Sequence, residues 1–292
     1  MKGAIEMISA INTQIRLMCE KKSFRIGFSL SLGYVLLTYL YYVWYQYGSE
    51  ISTILSPDAI FPLHSDTIFY STFINIVPFI IVIPFATSFV TDNTLYMLPT
   101  IQSRMSVKTY YYSKSIACFA GSFLIFFIPF IVSMILNHLT FPQSGVTFWG
   151  DMYDLNFSPT ITGDNVMVTV EKSGILFPKL YLVSASSYNL LFSAIFSIAM
   201  GICSVFVFSL SFIMKKFKIF LFIPFYFIVV LFNTIDLLLS GRSPYTCLKI
   251  MPYITINAAF GKSPIFIAVF FLVIIAMSQL LLYKQSKSDQ LG

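Results

Sequence analysis

Apolar and polar positions along this chain separate into long blocks instead of alternating. Six blocks run from Phe24 to Tyr45, Thr67 to Phe89, Ser115 to Leu136, Tyr188 to Met214, Ile219 to Leu239 and Pro264 to Leu282, and none carries a charge in its central portion. A bilayer core about 30 Å thick takes about 20 helical residues, so each block is long enough to cross. Lipid offers backbone N–H and C=O groups no partner, which leaves helices or closed barrels, and a barrel would show short alternating strands. The pattern predicts an all-α polytopic membrane protein with six transmembrane helices.

Residues 1–23 have a different period. At about 100° per residue, Met1, Ala4, Ile5, Met7, Ile8, Ile11, Ile15, Met18 and Cys19 gather on one side, and Lys2, Glu6, Ser9, Thr13, Arg16 and Glu20 on the other. This predicts an N-terminal amphipathic interfacial helix lying flat on the membrane. The first span ends in YYVWYQY, an aromatic run suited to the outer interface and lacking the small residues of a signal-peptide cleavage site. The next connection, 48–66, is short, acidic and broken by Pro57 and Pro62, and is expected only to connect. The longest, 137–187, is expected to cap the mouths of the spans, with a hairpin from Ile161 to Gly174 in which Val166, Val168 and Val170 alternate. Pro78, Pro84, Pro129 and Pro224 predict bends within spans.

Composition gives the pattern its class. Hydrophobic residues make up 57% of the 292 and charged residues 10%, with a mean hydropathy of +0.82, where soluble domains are roughly a quarter charged. No soluble catalytic domain fits, and residues 1–292 form a single membrane domain. Of 18 lysines and arginines, only Lys172, Lys179, Arg242, Lys249 and Lys262 fall on the face opposite the termini, so the positive-inside rule places both termini in the cytosol. Cys19 is then cytosolic, Cys118 and Cys203 intramembrane and Cys247 outside, and no structural disulfide is expected.

The polar stretch 90–114, VTDNTLYMLPTIQSRMSVKTYYYSK, lies on the cytosolic side between the second and third spans. Asp92 to Thr94 supply capping side chains where the second span ends. Leu95, Met97 and Leu98 place apolar side chains outside the bilayer beside Pro99, and Arg104, Lys108 and Lys114 with Tyr110, Tyr111 and Tyr112 restart a helix into the third span. Patterning alone leaves two readings, a docking element for a protein partner or a solvated positive-inside loop with an aromatic belt.

The run Asp92, Asn93, Thr94, Leu95, then Leu98, Arg104, Ser106, Tyr110 and Lys114 resembles the first cytosolic loop of the ABC-2 type permease family. There an acidic residue, a glycine, Thr-Leu, a small leucine-rich helix, an Arg-x-Ser-like turn, a tyrosine and a lysine recur on the way into the third span. Asp92 stands where glutamate is usual and Asn93 where glycine is usual; asparagine is the next residue after glycine to tolerate a left-handed backbone. The layout agrees along the whole chain: amphipathic helix, six spans, both ends inside, no ATPase domain. The resemblance implies the membrane subunit of a bacterial ABC exporter in the cell membrane. Leu95 to Arg104, including Met97, would form a coupling helix that docks on a separate ABC ATPase subunit. ATP and Mg would be bound by that partner, with no cofactor and no enzymatic activity on this chain. Six spans make half of a path, so a second permease copy or a paralogue is also implied. Lipid bilayer is the remaining partner, and no nucleic acid is expected.

Other chemistry was weighed. Gly261, Lys262 and Ser263 end like a phosphate-binding loop, but Ile256 occupies the first glycine position. His64 and His138, the two histidines, carry no HExxH spacing, which disfavours metal-dependent proteolysis, and no catalytic groups suggest a lipid-modifying enzyme. Lys215, Lys216 and Lys218 read as positive-inside anchoring. Asp236, the one acid within an apolar run, is expected to have a structural or cap-pairing role. The abundance of Phe and Tyr would suit export of a hydrophobic peptide, antibiotic or lipid. The alternative reading is a membrane sensor or binding protein that recognises a ligand through 137–187.

Overall fold

The computed structural model describes residues 2–50, 53–65, 67–83, 88–89, 92, 105–143, 176–213, 221–240, 247–256 and 263–291. The elements are α1 (Lys2–Glu20), α2 (Lys22–Tyr45), α3 (Tyr70–Val82), α4 (Val107–Thr140), α5 (Pro178–Val183), α6 (Ala185–Leu210), α7 (Phe222–Ser240), α8 (Met251–Ile254) and α9 (Pro264–Leu291). Among the described residues there is no strand, and extended backbone pairs at an isolated bridge between His64 and Ile256. The expected hairpin, Ile161 to Gly174, lies outside the described residues.

Four helices, α2, α4, α6 and α9, are long and apolar enough to cross a membrane, and Tyr70–Val82 and Ile223–Leu239 are shorter apolar helices. The all-α class is as expected, and these are the helices of a multi-pass membrane protein. The second of the six expected spans starts later than its apolar run, because Thr67 and Tyr70 donate into turns with His64 and Thr67. Its described helix has 13 residues, about 20 Å long, against a bilayer core of about 30 Å.

α4 organises the bundle. Its 34 residues make a rod about 51 Å long. α1 and α2 follow one another along it, α6 packs on it, and α9 lies against α6. α1 lies against α4, and the side it buries is turned away from the predicted apolar stripe: of the buried Ala10, Gln14 and Met18, Met18 alone belongs to that stripe, while Ile8 and Cys19 of the stripe are exposed. A β-carbon at Gly121 of α4 would overlap Met18 Sδ, so a larger residue there would require the flexible Met18 side chain to shift. On the other side, a β-carbon at Gly201 of α6 would lie 2.7 Å from Phe119 Cδ2 and 3.2 Å from the Phe119 carbonyl oxygen. Small buried residues recur on both helices: Ser115, Ser122 and Ser133 on α4, Ser193, Ser197 and Ser204 on α6. Ser193 and Ser197 donate to carbonyls four residues back at 2.8 and 2.7 Å, which satisfies their hydroxyls inside an apolar bundle.

The core is aromatic. Phe73 of α3, Phe126 and Phe130 of α4 and Phe196 of α6 meet with ring centroids 5.4–6.2 Å apart. Tyr34 stacks on Phe73 at 3.9 Å, and Phe61 reaches Phe130 at 5.9 Å. Phe61 belongs to the connection expected only to connect. The structure corrects that expectation: Ser56, Ala59, Ile60, Phe61, Leu63 and His64 are all buried. The loop plugs the end of the bundle where α4 finishes and α6 begins. Tyr34 donates to the Pro62 carbonyl at 2.7 Å. Ser65 N donates to Ile256 O at 3.0 Å and Ile256 N to Leu63 O at 3.1 Å, tying the loop to the segment around α8.

Candidate functional site

At the other end of the bundle, α4 begins. Ser106 is its N-cap, extended at φ −64° and ψ 145°, and its Oγ accepts from Thr109 N at 3.2 Å. The cap fixes where the helix starts and so which residues share a face: Tyr110 and Lys114, four apart, point the same way. Tyr111, on the neighbouring face, packs between Phe89 and Phe212 with centroids at 5.9 and 5.2 Å, which locks the rotation of this first turn.

Tyr110 and Lys114 converge on Asp92. The Tyr110 hydroxyl donates to Asp92 Oδ2 at 2.7 Å, and Lys114 Nζ donates to the Tyr110 hydroxyl at 2.8 Å. Lys114 Nζ also forms an ion pair with the same Asp92 oxygen. The result is a closed triangle, with Tyr110 and Lys114 buried and 15% of the Asp92 side chain exposed. Removing an ammonium from water costs several kcal/mol unless it is paired and hydrogen-bonded. Here two of the three ammonium donors are taken within the triangle.

Of the sequence-predicted site residues, Asp92, Tyr110 and Lys114 are thus brought together, and Ser106 caps the helix that presents two of them. Asn93, Thr94, Leu95, Met97, Leu98 and Arg104 lie outside the described residues. Beside the cap, Met105, Ser106 and Thr109 line a cavity of about 410 Å³ with Glu6, Ser9, Ala10 and Thr13 of α1. Asp236, expected to have a structural or cap-pairing role, pairs instead with the connection that follows its own helix: Leu248 N donates to its Oδ1 at 2.6 Å, and Lys249 Nζ lies 3.4 Å from Oδ2.

Sequence reasoning missed a second polar group, at the plugged end. Asp58, His138, Ser186 and Asn189 meet there from the first loop, α4 and α6. The available signal was the apolar run from Ala59 to Leu63 inside a nominally acidic loop, which marks the segment as buried. Nearby, burial first and then the Asp58 charge raise the Tyr181 hydroxyl pKa above its ordinary value. Burial likewise raises that of Tyr253, whose hydroxyl bridges Cys247 O and Ser263 N at 2.7 and 2.8 Å.

No protein-family model matches the chain, and no curated protein or solved structure is significantly similar to it.

Proposed function

We propose that this chain is the membrane-spanning permease subunit of a bacterial ABC exporter, working with separate ATPase subunits and with a second copy or a paralogue. Both termini are cytosolic in this reading. What supports it is the convergence of Asp92, Tyr110 and Lys114. These residues carry part of the loop's resemblance to ABC-2 permeases, and they lie up to 22 positions apart in the chain yet share one buried triangle.

The mechanical consequence follows from that closure. A loop whose two ends are pinned to each other passes a push on its middle to both helices at once, whereas an unpinned loop deforms. Residues 93–104 are the stretch on which the ATPase would act, with Leu95, Met97, Leu98 and Arg104 as its contacts. The closing of two ATPase subunits around ATP and Mg would then reorient the helix ends, and a path would open between two permease copies. A hydrophobic peptide, antibiotic or lipid suits an interface so rich in Phe and Tyr.

The test is a pull-down from the native membrane in mild detergent, comparing wild type with a variant carrying Leu95→Asp, Met97→Asp and Leu98→Asp. An ATPase subunit is expected with the wild type and not with the variant. If none accompanies either protein, the proposal fails and a sensor reading built on 137–187 takes its place.

A further inference from the structure

α9 lies against α6 without covering it fully. α6 is the most enclosed of the long helices, yet Ile198 is 44% exposed, and Ile195, Ile202 and Val205 are half-buried. Steps of three and four residues put these four side chains in one stripe along the helix. The stripe faces a gap between the two helices. Ile195, Ile198 and Ile202 line a cavity of about 270 Å³ together with Ile267, Ala268 and Phe271 of α9. Val205 lines a second cavity of about 260 Å³ further along the same seam, and Ile202 is shared by both.

The chemistry of the first cavity limits what can enter it. Tyr253 has the one polar side chain among its lining residues, and that hydroxyl already donates to Cys247 O and accepts from Ser263 N at 2.7 and 2.8 Å. No lining side chain is charged, so a polar or ionic ligand would be desolvated there without partners. Water lacks the two or more polar partners it needs in a cavity, and an empty cavity forfeits dispersion contacts along its lining. Shape narrows the choice further. The cavity follows α9 from Pro264 to Phe271, roughly 10 Å of helix axis, so its volume corresponds to a channel on the order of 5 Å wide, against about 10–12 Å for a helix with its side chains. A single methylene chain fits such a channel, and its length lies within the roughly 15 Å that one leaflet contributes to the hydrocarbon core. The gap is also continuous with the surface that faces lipid, because Ala268, Val269 and Leu272 are exposed beside it.

We propose that this recess between α6 and α9 is a binding site for one acyl chain of a bilayer phospholipid. The chain enters sideways past Ala268 and lies along Ile195, Ile198 and Ile202. Leu176, Tyr253 and Ile254 close the recess at the plugged end, so the headgroup stays outside and is not read by the site. The bound chain fills the seam between the most and the least enclosed of the long helices. The inference needs only that α6 and α9 lie in a membrane, so it stands or falls apart from any ATPase partner.

The experiment reconstitutes the full-length chain in phosphatidylcholine vesicles containing a small fraction of phosphatidylcholine with a diazirine midway along one acyl chain. After irradiation, labelled positions are mapped by mass spectrometry. In the wild type, Ile195, Ala199 and Ile202 are expected to be labelled, although Ala199 is only 3% exposed. Ala268→Phe fills the recess from the exposed side of α9 and should lower labelling at these three positions several-fold, with labelling of Leu272 and Leu280 unchanged. Ala268→Leu is the milder filling and should act in the same direction, which covers the case in which the phenylalanine variant does not fold. Val269→Phe, one position further round the exposed face and outside the lining, should label like the wild type. Absence of label on the three α6 positions, labelling that persists in both Ala268 variants, or an equal loss in Val269→Phe overturns the site. Labelling that appears only when the protein is diluted in lipid would mean that a second copy covers the recess, and overturns it as well.

Discussion

Lys114 carries a full charge at a position with only 3% of its side chain exposed, and it is tolerable there because Asp92 and Tyr110 surround the ammonium. The cost of changing the triangle depends on what is left behind. Asp92→Ala leaves a buried cation without its counter-charge and should destabilise by about 3–5 kcal/mol. Lys114→Met leaves a carboxylate that is partly exposed and still accepts from Tyr110, so its cost should be smaller. The double variant removes both charges and should cost well below the sum of the two. A double-mutant cycle from unfolding in detergent measures the coupling; strictly additive costs would show that the pair contributes nothing as a pair. Ser106→Ala tests the cap that aims Tyr110 and Lys114, with an expected loss of about 1 kcal/mol.

At the scale of elements, helix contact is set by where side chains are absent. Gly201 faces Phe119 and its carbonyl across the α4–α6 interface, whereas a β-carbon at Gly33 of α2 would meet nothing within 4 Å. Gly201→Leu should push α6 off α4 and lower the melting temperature sharply. Gly33→Ala should be neutral or slightly stabilising, since alanine is favoured over glycine in a helix by about 1 kcal/mol. Equal melting temperatures for the two variants would contradict this account of the interface. Periodicity read well what is local. It located α1 and the four long helices, because apolar runs and 3.6-residue periods are properties of neighbouring residues, whereas Asp92, Tyr110 and Lys114 stand out through the loop's family resemblance. It could not place the late start of α3 or the use of α1 as packing on α4. The first loop was misread for the same reason: Asn189 holds Asp58 from 131 positions away, a partnership invisible to a window of a dozen residues. The aromatic cluster it joins through Phe61 is likewise assembled from separate helices.

Across the whole molecule, the two ends of the bundle are built differently. One end holds the triangle of Asp92, Tyr110 and Lys114 at the start of α4. The other is closed by a segment that enters the core and pairs with a stretch about 190 positions further along, through Ser65, Leu63 and Ile256. Exposed apolar residues on α2 and α9, such as Leu37, Leu40, Leu272 and Leu280, supply the surface that lipid covers, while α6 is the most enclosed of the long helices, with 61% of its apolar window buried against 17% for α9. If the plug is one cooperative unit, its parts should open together. The amides of Ser65 and Ile256 each donate across the pairing, so their hydrogen exchange should be slow and similar in the wild type. Phe61→Ala removes the ring that anchors the loop at Phe130, a change that costs about 3–5 kcal/mol in a packed core. Both amides should then exchange faster by comparable factors, with backbone amides in the middle of α6 unaffected. Acceleration at Ser65 alone would mean that the segment around α8 stays in place without the loop, and that the two do not move as one.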